Sequence, residues 1–147
     1  MNTKISEHFT VESLSVSQEA TRRGIDNRPP QDPVWPRLTE LCVKILEPIW
    51  TNKGAITVTS GYRSPALNSA IGASKNSQHC FGQAADIIVT GVSVETLFLW
   101  IKNSELPYDQ LIQEFGSWVH VSYTAEKRRK MVMRATRTAA GTQYTVV

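Results

Sequence analysis

The sequence predicts an α+β domain, a small and mostly antiparallel sheet with helices packed on one face. Apolar residues recur at three- and four-residue steps in some stretches and alternate over short runs in others. Cap and turn residues separate the two kinds of stretch. Helical stretches precede and interleave with short strands, and the last two strands read as a hairpin, so the layers are helices against a sheet. No internal repeat or low-complexity tract interrupts this pattern.

Thr10 stands before Val11-Glu12-Ser13-Leu14 as the cap of a first helix that runs toward Arg22-Arg23 and stops at Gly24. Asp26 to Pro33 holds three prolines, which remove backbone donors and restrict the residues before them, so this stretch is a surface loop. Pro36 opens a second helix in which Leu38, Leu41, Cys42, Ile45, Leu46 and Ile49 share one buried face, and Lys53-Gly54 ends it. Ala55 to Thr59 is a short strand. Ser64, Pro65 and Gly72 fall in the order of cap, first turn and stop around a small helix. Ala84 to Val89 is a further strand, and Ser93 caps a helix carrying Leu97, Trp100 and Ile101. Gln110 to Glu114, the turn residues Gly116-Ser117, and Trp118 to Tyr123 complete the hairpin.

With 147 residues, 41% of them hydrophobic, and a formal net charge of +3, the chain fits one globular domain spanning 1–147. Met1 to Thr10 is mixed polar without the apolar run of a secretory signal, and no stretch approaches the ~18 apolar residues of a membrane helix. A soluble, monomeric protein made in the cytoplasm, with no membrane partner, is therefore expected. Cys42 lies in an apolar helical pattern and Cys80 beside a histidine, so free thiols are expected rather than a bridge. Much of the basic excess sits in Lys127-Arg128-Arg129-Lys130, Arg134 and Arg137. Such a run can meet nucleic acid or an acidic polymer. No aromatic residues interleave with it, so the expectation is a solvated face, and nucleic acid is not an expected partner.

The chemistry concentrates in two short motifs, Ser77-Gln78-His79-Cys80-Phe81-Gly82-Gln83-Ala84-Ala85-Asp86 and Trp118-Val119-His120-Val121-Ser122. They supply two imidazoles and a carboxylate, the set that a zinc ion takes when one position is left open. A turn at Gly82 lets His79 close the preceding loop while Asp86 sits on the following strand, so sequence neighbours become opposite walls. His120 shares a strand face with Trp118 and Ser122, with Val119 and Val121 behind. The chain has three histidines, and two of them fall in these motifs. The third, His8 beside Phe9, is assigned to packing or capping. A zinc ion so held lowers the pKa of a bound water to about 7 and polarises a neighbouring carbonyl. Hydrolysis then needs a group that takes and returns the proton. Glu114, across the turn from the His120 strand, is the candidate base, with Asp109 in reserve. Two histidines and one aspartate also occur in domains that hold no metal, so on these motifs alone a purely structural role stays open.

Three runs, Thr59-Ser60-Gly61-Tyr62-Arg63-Ser64-Pro65-Ala66-Leu67-Asn68, then Ser77-Gln78-His79 with Gly82 and Ala84-Ala85-Asp86, then Trp118-Val119-His120, together resemble the zinc D-alanyl-D-alanine carboxypeptidase family. That family shares its fold with the Hedgehog signalling domain. His8-Phe9-Thr10, Gly24-Ile25-Asp26-Asn27 and Leu46-Glu47-Pro48 are similar to the N-terminal half of its small phage-type members. The resemblance covers a core of about residues 6–124 and leaves 125–147 as a basic C-terminal segment. It implies that His79, Asp86 and His120 bind one zinc ion, that Arg63 holds a substrate carboxylate or carbonyl oxygen, and that Ser77 helps to orient the substrate or the site. Trp118 is placed with the substrate as well, although it, Tyr62, Phe81 and Phe115 also suit core packing. Many members carry an acidic residue three positions before the last histidine. Here that position is Ser117, and Glu114 stands six before it, a spacing that resembles the Hedgehog-type arrangement.

The resemblance implies a peptidase that cleaves bonds next to D-amino acids in the peptides of bacterial peptidoglycan, with Glu114 moving the proton and Arg63 anchoring the substrate. Lacking a secretory signal, such an enzyme is expected to reach the wall after phage lysis, as an endolysin, or as a virion component. Carboxypeptidase and endopeptidase activity both stay open. The alternative is a catalytically silent module of the same fold that binds zinc and recognises cell wall or a virion protein. A third reading, nucleic-acid binding through the tail, predicts affinity that falls steeply with salt and vanishes on deletion after Lys127.

Overall fold

The computed structural model describes residues 3–147. In chain order these form α1 (Gln18–Arg23), α2 (Val34–Leu41), α3 (Glu47–Lys53), β1 (Ile56–Ser60), α4 (Pro65–Ala70), β2 (Ala84–Val89), α5 (Val94–Lys102), β3 (Gln110–Glu114), β4 (Trp118–Ser122), β5 (Met131–Thr138) and β6 (Gly141–Val146). A π-helical segment, Cys42–Leu46, joins α2 to α3, and a 3-10 turn, Gln78–Phe81, precedes β2. The six strands make one sheet in the order β1-β2-β4-β3-β5-β6. The β3–β5 pair is parallel and the other four pairs are antiparallel, so the expected α+β class and mostly antiparallel sheet are found.

Register decides which residues face which layer. Partners directly opposite in neighbouring strands share a face. Asp86, His120, Ile112 and Met133 therefore form one row across four strands, and Trp118, Glu114, Ala135 and Tyr144 form the next. The alternate positions, Ile87, Val119, Val121, Leu111 and Val132, turn to the other side and join the core with Leu38, Leu41, Ile45, Leu46 and Ile49 of the α2–α3 unit and Leu97, Phe98 and Ile101 of α5. The helical stripe read from the sequence is thus fully buried, each such side chain contributing roughly 1.5–3 kcal/mol. The polar face of the sheet is left to the segment 61–83, which carries Arg63, Ser77 and His79.

Several elements depart from the sequence expectation, each for a local reason. The first helix is shorter and begins after Ser17, whose hydroxyl accepts from Ala20 N; Gly24, at φ 66°, ends it as expected. Upstream, Thr10 does cap a turn, accepting from Ser13 N at 2.9 Å. Leu14 N then reaches Thr10 O at 3.1 Å, but the Ser15 hydroxyl donates to Val11 O while Ser15 N turns to Glu12 O at 3.2 Å, so the helical pattern stops there. Helix α2 starts at Val34, so Pro36 sits inside its first turn rather than opening it. Phe81, read as core, is 41% exposed.

The largest departure is the C-terminal segment, which continues the sheet with β5 and β6 where the sequence reading ends at the β3–β4 hairpin. Its basic residues are not simply a solvated face. The Arg134 guanidinium pairs with both Glu95 oxygens at 2.6 and 2.8 Å, and Lys130 Nζ donates to Leu106 O at 2.7 Å over the Tyr108 ring. Arg129 donates from its backbone N at 2.7 Å and from Nη2 at 2.7 Å to Asp109, which also accepts from Gln78 Nε2 at 3.0 Å. Lys127 and Arg128 do remain exposed.

Asp109 is 2% exposed. Burial alone would raise its carboxyl, but the hydrogen bonds and charge of Arg129 outweigh this and hold it below the ordinary 3.8. A depressed acid contributes stability above its unfolded pKa and loses it as pH falls through the folded value. Asp109→Asn is therefore expected to cost roughly 1–3 kcal/mol at pH 7, given a half-exposed partner. Thermal melts should show the gap between variant and wild type closing as the pH drops below about 4.

Candidate active site

His79 is positioned from both sides of its short turn. The Ser77 hydroxyl caps the turn, accepting from His79 N at 3.3 Å. Gly82, at φ 74°, closes it; a Cβ there would meet a methyl of Val34 at 2.9 Å. The His79 ring is buried, with Nδ1 2.7 Å from Gly61 O. A carbonyl only accepts, so Nδ1 carries the hydrogen and Nε2 is left with its lone pair. That Nε2 lies 3.4 Å from Asp86 Oδ1, and His120 Nδ1 lies 3.0 Å from the same oxygen.

One donor atom from each of His79, Asp86 and His120 lies within 4.8 Å of the others. Tetrahedral ligands ~2.05 Å from a common centre stand roughly 3.3 Å apart, so this nitrogen–oxygen–nitrogen set fits a zinc ion. Burial would raise the Asp86 carboxyl, but the hydrogen bonds and charges of His120 and His79 hold it well below the usual carboxylate range. Burial pushes the His79 imidazole down, against the pull of Asp86. An ionised carboxylate and a neutral imidazole are the forms that ligate a cation.

Glu114 faces Trp118 across the β3–β4 pair, and its Oε1 lies 3.8 Å from His120 Nδ1. The three-residue turn between them has both Phe115 (φ 61°) and Gly116 (φ 67°) in the left-handed region. Phe115 holds its place edge-on to Trp118 at 5.7 Å, with the Arg137 guanidinium 4.1 Å from its ring. Burial and then the Asp86 charge push the Glu114 carboxyl above its ordinary range, outweighing His120 and Trp118.

Arg63 donates from Nη2 to Ser77 Oγ at 3.0 Å and from its backbone N to His79 O at 3.1 Å, and its buried Nε has no partner among the described residues. A cleft of about 600 Å³ joins Arg63, Ser77, His79, Asp86, Glu114 and His120, with Trp118 also on its wall. The three candidate ligands, the first candidate base Glu114 and the candidate substrate contacts Arg63, Ser77 and Trp118 all line it. Asp109, the reserve base, does not; its carboxylate is taken up by Arg129 and Gln78.

The sequence reading gave no role to two residues that hold the site together. Gly61 orients His79 through its carbonyl. Asn27, buried, donates to Ser15 O at 2.8 Å and Tyr62 O at 3.0 Å and accepts from Ser64 N at 2.7 Å, clamping the Arg63 loop from both ends. Both stand in the runs that carry the family resemblance, which was the only signal for them. Ile112, Met133 and Tyr144 in the cleft wall were also missed, because only strand register brings them there.

Away from the cleft, His8 stacks on Trp50 at 4.1 Å and bonds Glu47 at 2.6 Å, the packing role expected of it. Cys42 and Cys80 are free thiols, Cys42 pushed up to about 12 by burial. Among the described residues no helix is long and apolar enough to cross a membrane.

Residues 7–122 match the family described as Peptidase M15, a stretch that includes Arg63, both metal motifs and Glu114. No curated protein matches the chain. A match over most of the chain, on a sheet that gathers the motifs at one cleft, shows that the chain belongs to the Peptidase M15 family of zinc D-alanyl-D-alanine carboxypeptidase-like metallopeptidases.

Proposed function

We propose that the chain is a zinc peptidase that hydrolyses D-amino-acid-containing peptide bonds of bacterial peptidoglycan, with Glu114 as general base. The observation that carries this reading is a half-buried acid with a raised pKa, 3.8 Å from His120 and in one cleft with His79 and Asp86. His79 through Nε2, Asp86 through Oδ1 and His120 through Nδ1 would hold the ion. When bound, zinc acts as a Lewis acid on a peptide carbonyl and makes water acidic enough to attack near neutral pH.

The protein residues then divide the work. Glu114, its pKa raised toward the working range, accepts the proton at its carboxylate and returns it to the leaving amine. Arg63 offers its remaining donors to a carboxylate or carbonyl oxygen of the peptide, and Ser77 fixes the guanidinium from behind. Trp118 walls the cleft beside Glu114 and limits water around it.

Purified peptidoglycan incubated with the zinc-loaded protein is expected to yield new amino termini or free D-alanine, followed by mass spectrometry. Which of the two appears separates endopeptidase from carboxypeptidase action. Protein that carries zinc and releases neither product contradicts the enzyme and fits a silent wall-binding module instead.

A further inference from the structure

The stretch that matches the family ends at Ser122, while the floor of the cleft runs on for two more strands. Met133 of β5 stands beside Ile112, in the row of Asp86 and His120. Tyr144 of β6 stands beside Ala135, which stands beside Glu114. Two strand spacings separate Tyr144 from Glu114 by roughly 10 Å at Cβ, a distance that a tyrosine side chain largely spans. The small Ala135 between them leaves that path clear. Both Met133 and Tyr144 line the same cleft as the metal triad, and Tyr144 is 54% exposed, so its ring is open to a ligand. Burial raises the Tyr144 phenol, and the carboxylates of Glu114 and Asp86 add to it, in keeping with this proximity.

The hairpin is fixed rather than loosely attached. Val132 reaches the core, Arg134 clamps Glu95 on the helix side, and Val147 N donates to Val132 O at 3.0 Å. A pre-positioned aromatic with a methionine and an isoleucine beside it offers apolar contact area at low entropic cost. An apolar strip made of only Ile112, Met133 and Tyr144 suits the alanine-sized side chains of a short peptide.

We propose that the β5–β6 hairpin is a substrate-binding wall of this cleft, in which Tyr144 and Met133 hold a small apolar residue of the peptide beside the scissile bond. This rests on the peptidase reading for the identity of the substrate. The test uses full-length Tyr144→Ala, Tyr144→Phe and Met133→Ala, alone and combined with Glu114→Gln, against purified monomeric and cross-linked muropeptides. In the Glu114→Gln background, calorimetry should show Tyr144→Ala weakening muropeptide binding about tenfold, with Tyr144→Phe within about threefold of its parent. With Glu114 present, Tyr144→Ala should raise KM by a similar factor and leave kcat within about twofold. Zinc content and melting temperature should not change.

Muropeptide binding and KM within about twofold of the parent for both alanine variants would overturn the wall while leaving the peptidase standing. Binding that depends on Tyr144 without any cleavage by wild type supports the wall and removes the peptidase. A wild type that neither binds nor cleaves removes both. If an alanine variant does not fold, amide exchange decides: muropeptide added to Glu114→Gln protein should slow exchange across residues 131–146, and unchanged exchange there overturns the proposal.

Discussion

Replacing Glu114 with Gln is expected to leave one zinc ion bound per chain and to lower kcat on peptidoglycan by about 10²–10⁴-fold. The amide keeps the size of the carboxylate, so the cleft keeps its shape, but it has no basic oxygen able to take a proton. The three ligand atoms do not depend on it: His79 is held by Gly61, and Asp86 and His120 by strand pairing. Stability should not fall either. The half-buried Glu114 carboxyl is already disfavoured as an anion by desolvation and by Asp86, and the neutral amide removes that repulsion. Metal analysis, wall digestion and a thermal melt of the same preparation check all three statements. Full activity in the variant would move the base elsewhere, and Asp109 is a poor substitute because Arg129 already occupies it.

Gly61→Ala is expected to damage folding and metal binding together. A Cβ at this position would run into Leu14 O and lie 2.9 Å from Leu14 C, both backbone atoms that no rotamer change can move. The same approach allows Tyr62 N to donate to Leu14 O at 2.6 Å, and the Gly61 carbonyl takes the His79 Nδ1 hydrogen at 2.7 Å. Forcing the two segments apart should cost roughly 1–3 kcal/mol, or a drop in melting temperature of about 2–12 °C for a chain of this size. Loss of the bond that sets the His79 tautomer and ring angle should weaken zinc binding by about 10–100-fold. A melt and a zinc titration against a chelating dye measure the two effects. An unchanged zinc affinity in the folded variant would show that the Gly61 carbonyl does not orient the ligand.

The convergence of His79, Asp86 and His120 was legible because its information is local. His79, Gly82 and Asp86 lie within one turn and the strand after it, and the alternation of Trp118 to Ser122 fixes the face on which His120 stands. The α2–α3 stripe was legible for the same reason, since burial of Leu38 through Ile49 follows a period that any helix imposes. What failed depended on competition or on distance. Thr10 looks like the start of a long helix until the Ser15 hydroxyl takes the Val11 carbonyl and Ser15 N turns to Glu12 O.

Strand β5 reads as a basic tail because Arg134 and Arg137 break its apolar run. Its partner, β3, lies about twenty residues earlier in a parallel pairing that no local periodicity encodes. The same blindness hid Tyr144, which reaches the cleft only through the register of β3, β5 and β6. Asp109 is the converse case. The sequence offers it as a reserve base, while its tertiary partner Arg129, which no local pattern announces, takes its oxygens.

X-ray absorption at the zinc edge of the loaded chain shows whether His79, Asp86 and His120 meet at one zinc ion. One ion per chain is expected, with a first shell of nitrogen and oxygen only, at ~2.0–2.2 Å, two of the ligands showing imidazole scattering. Cys80 follows His79 in the chain but is not among the side chains that converge on the site, so no sulfur should enter the shell. A sulfur shell near ~2.3 Å, or a chain that retains no zinc at all, would mean that these three side chains do not form a zinc site.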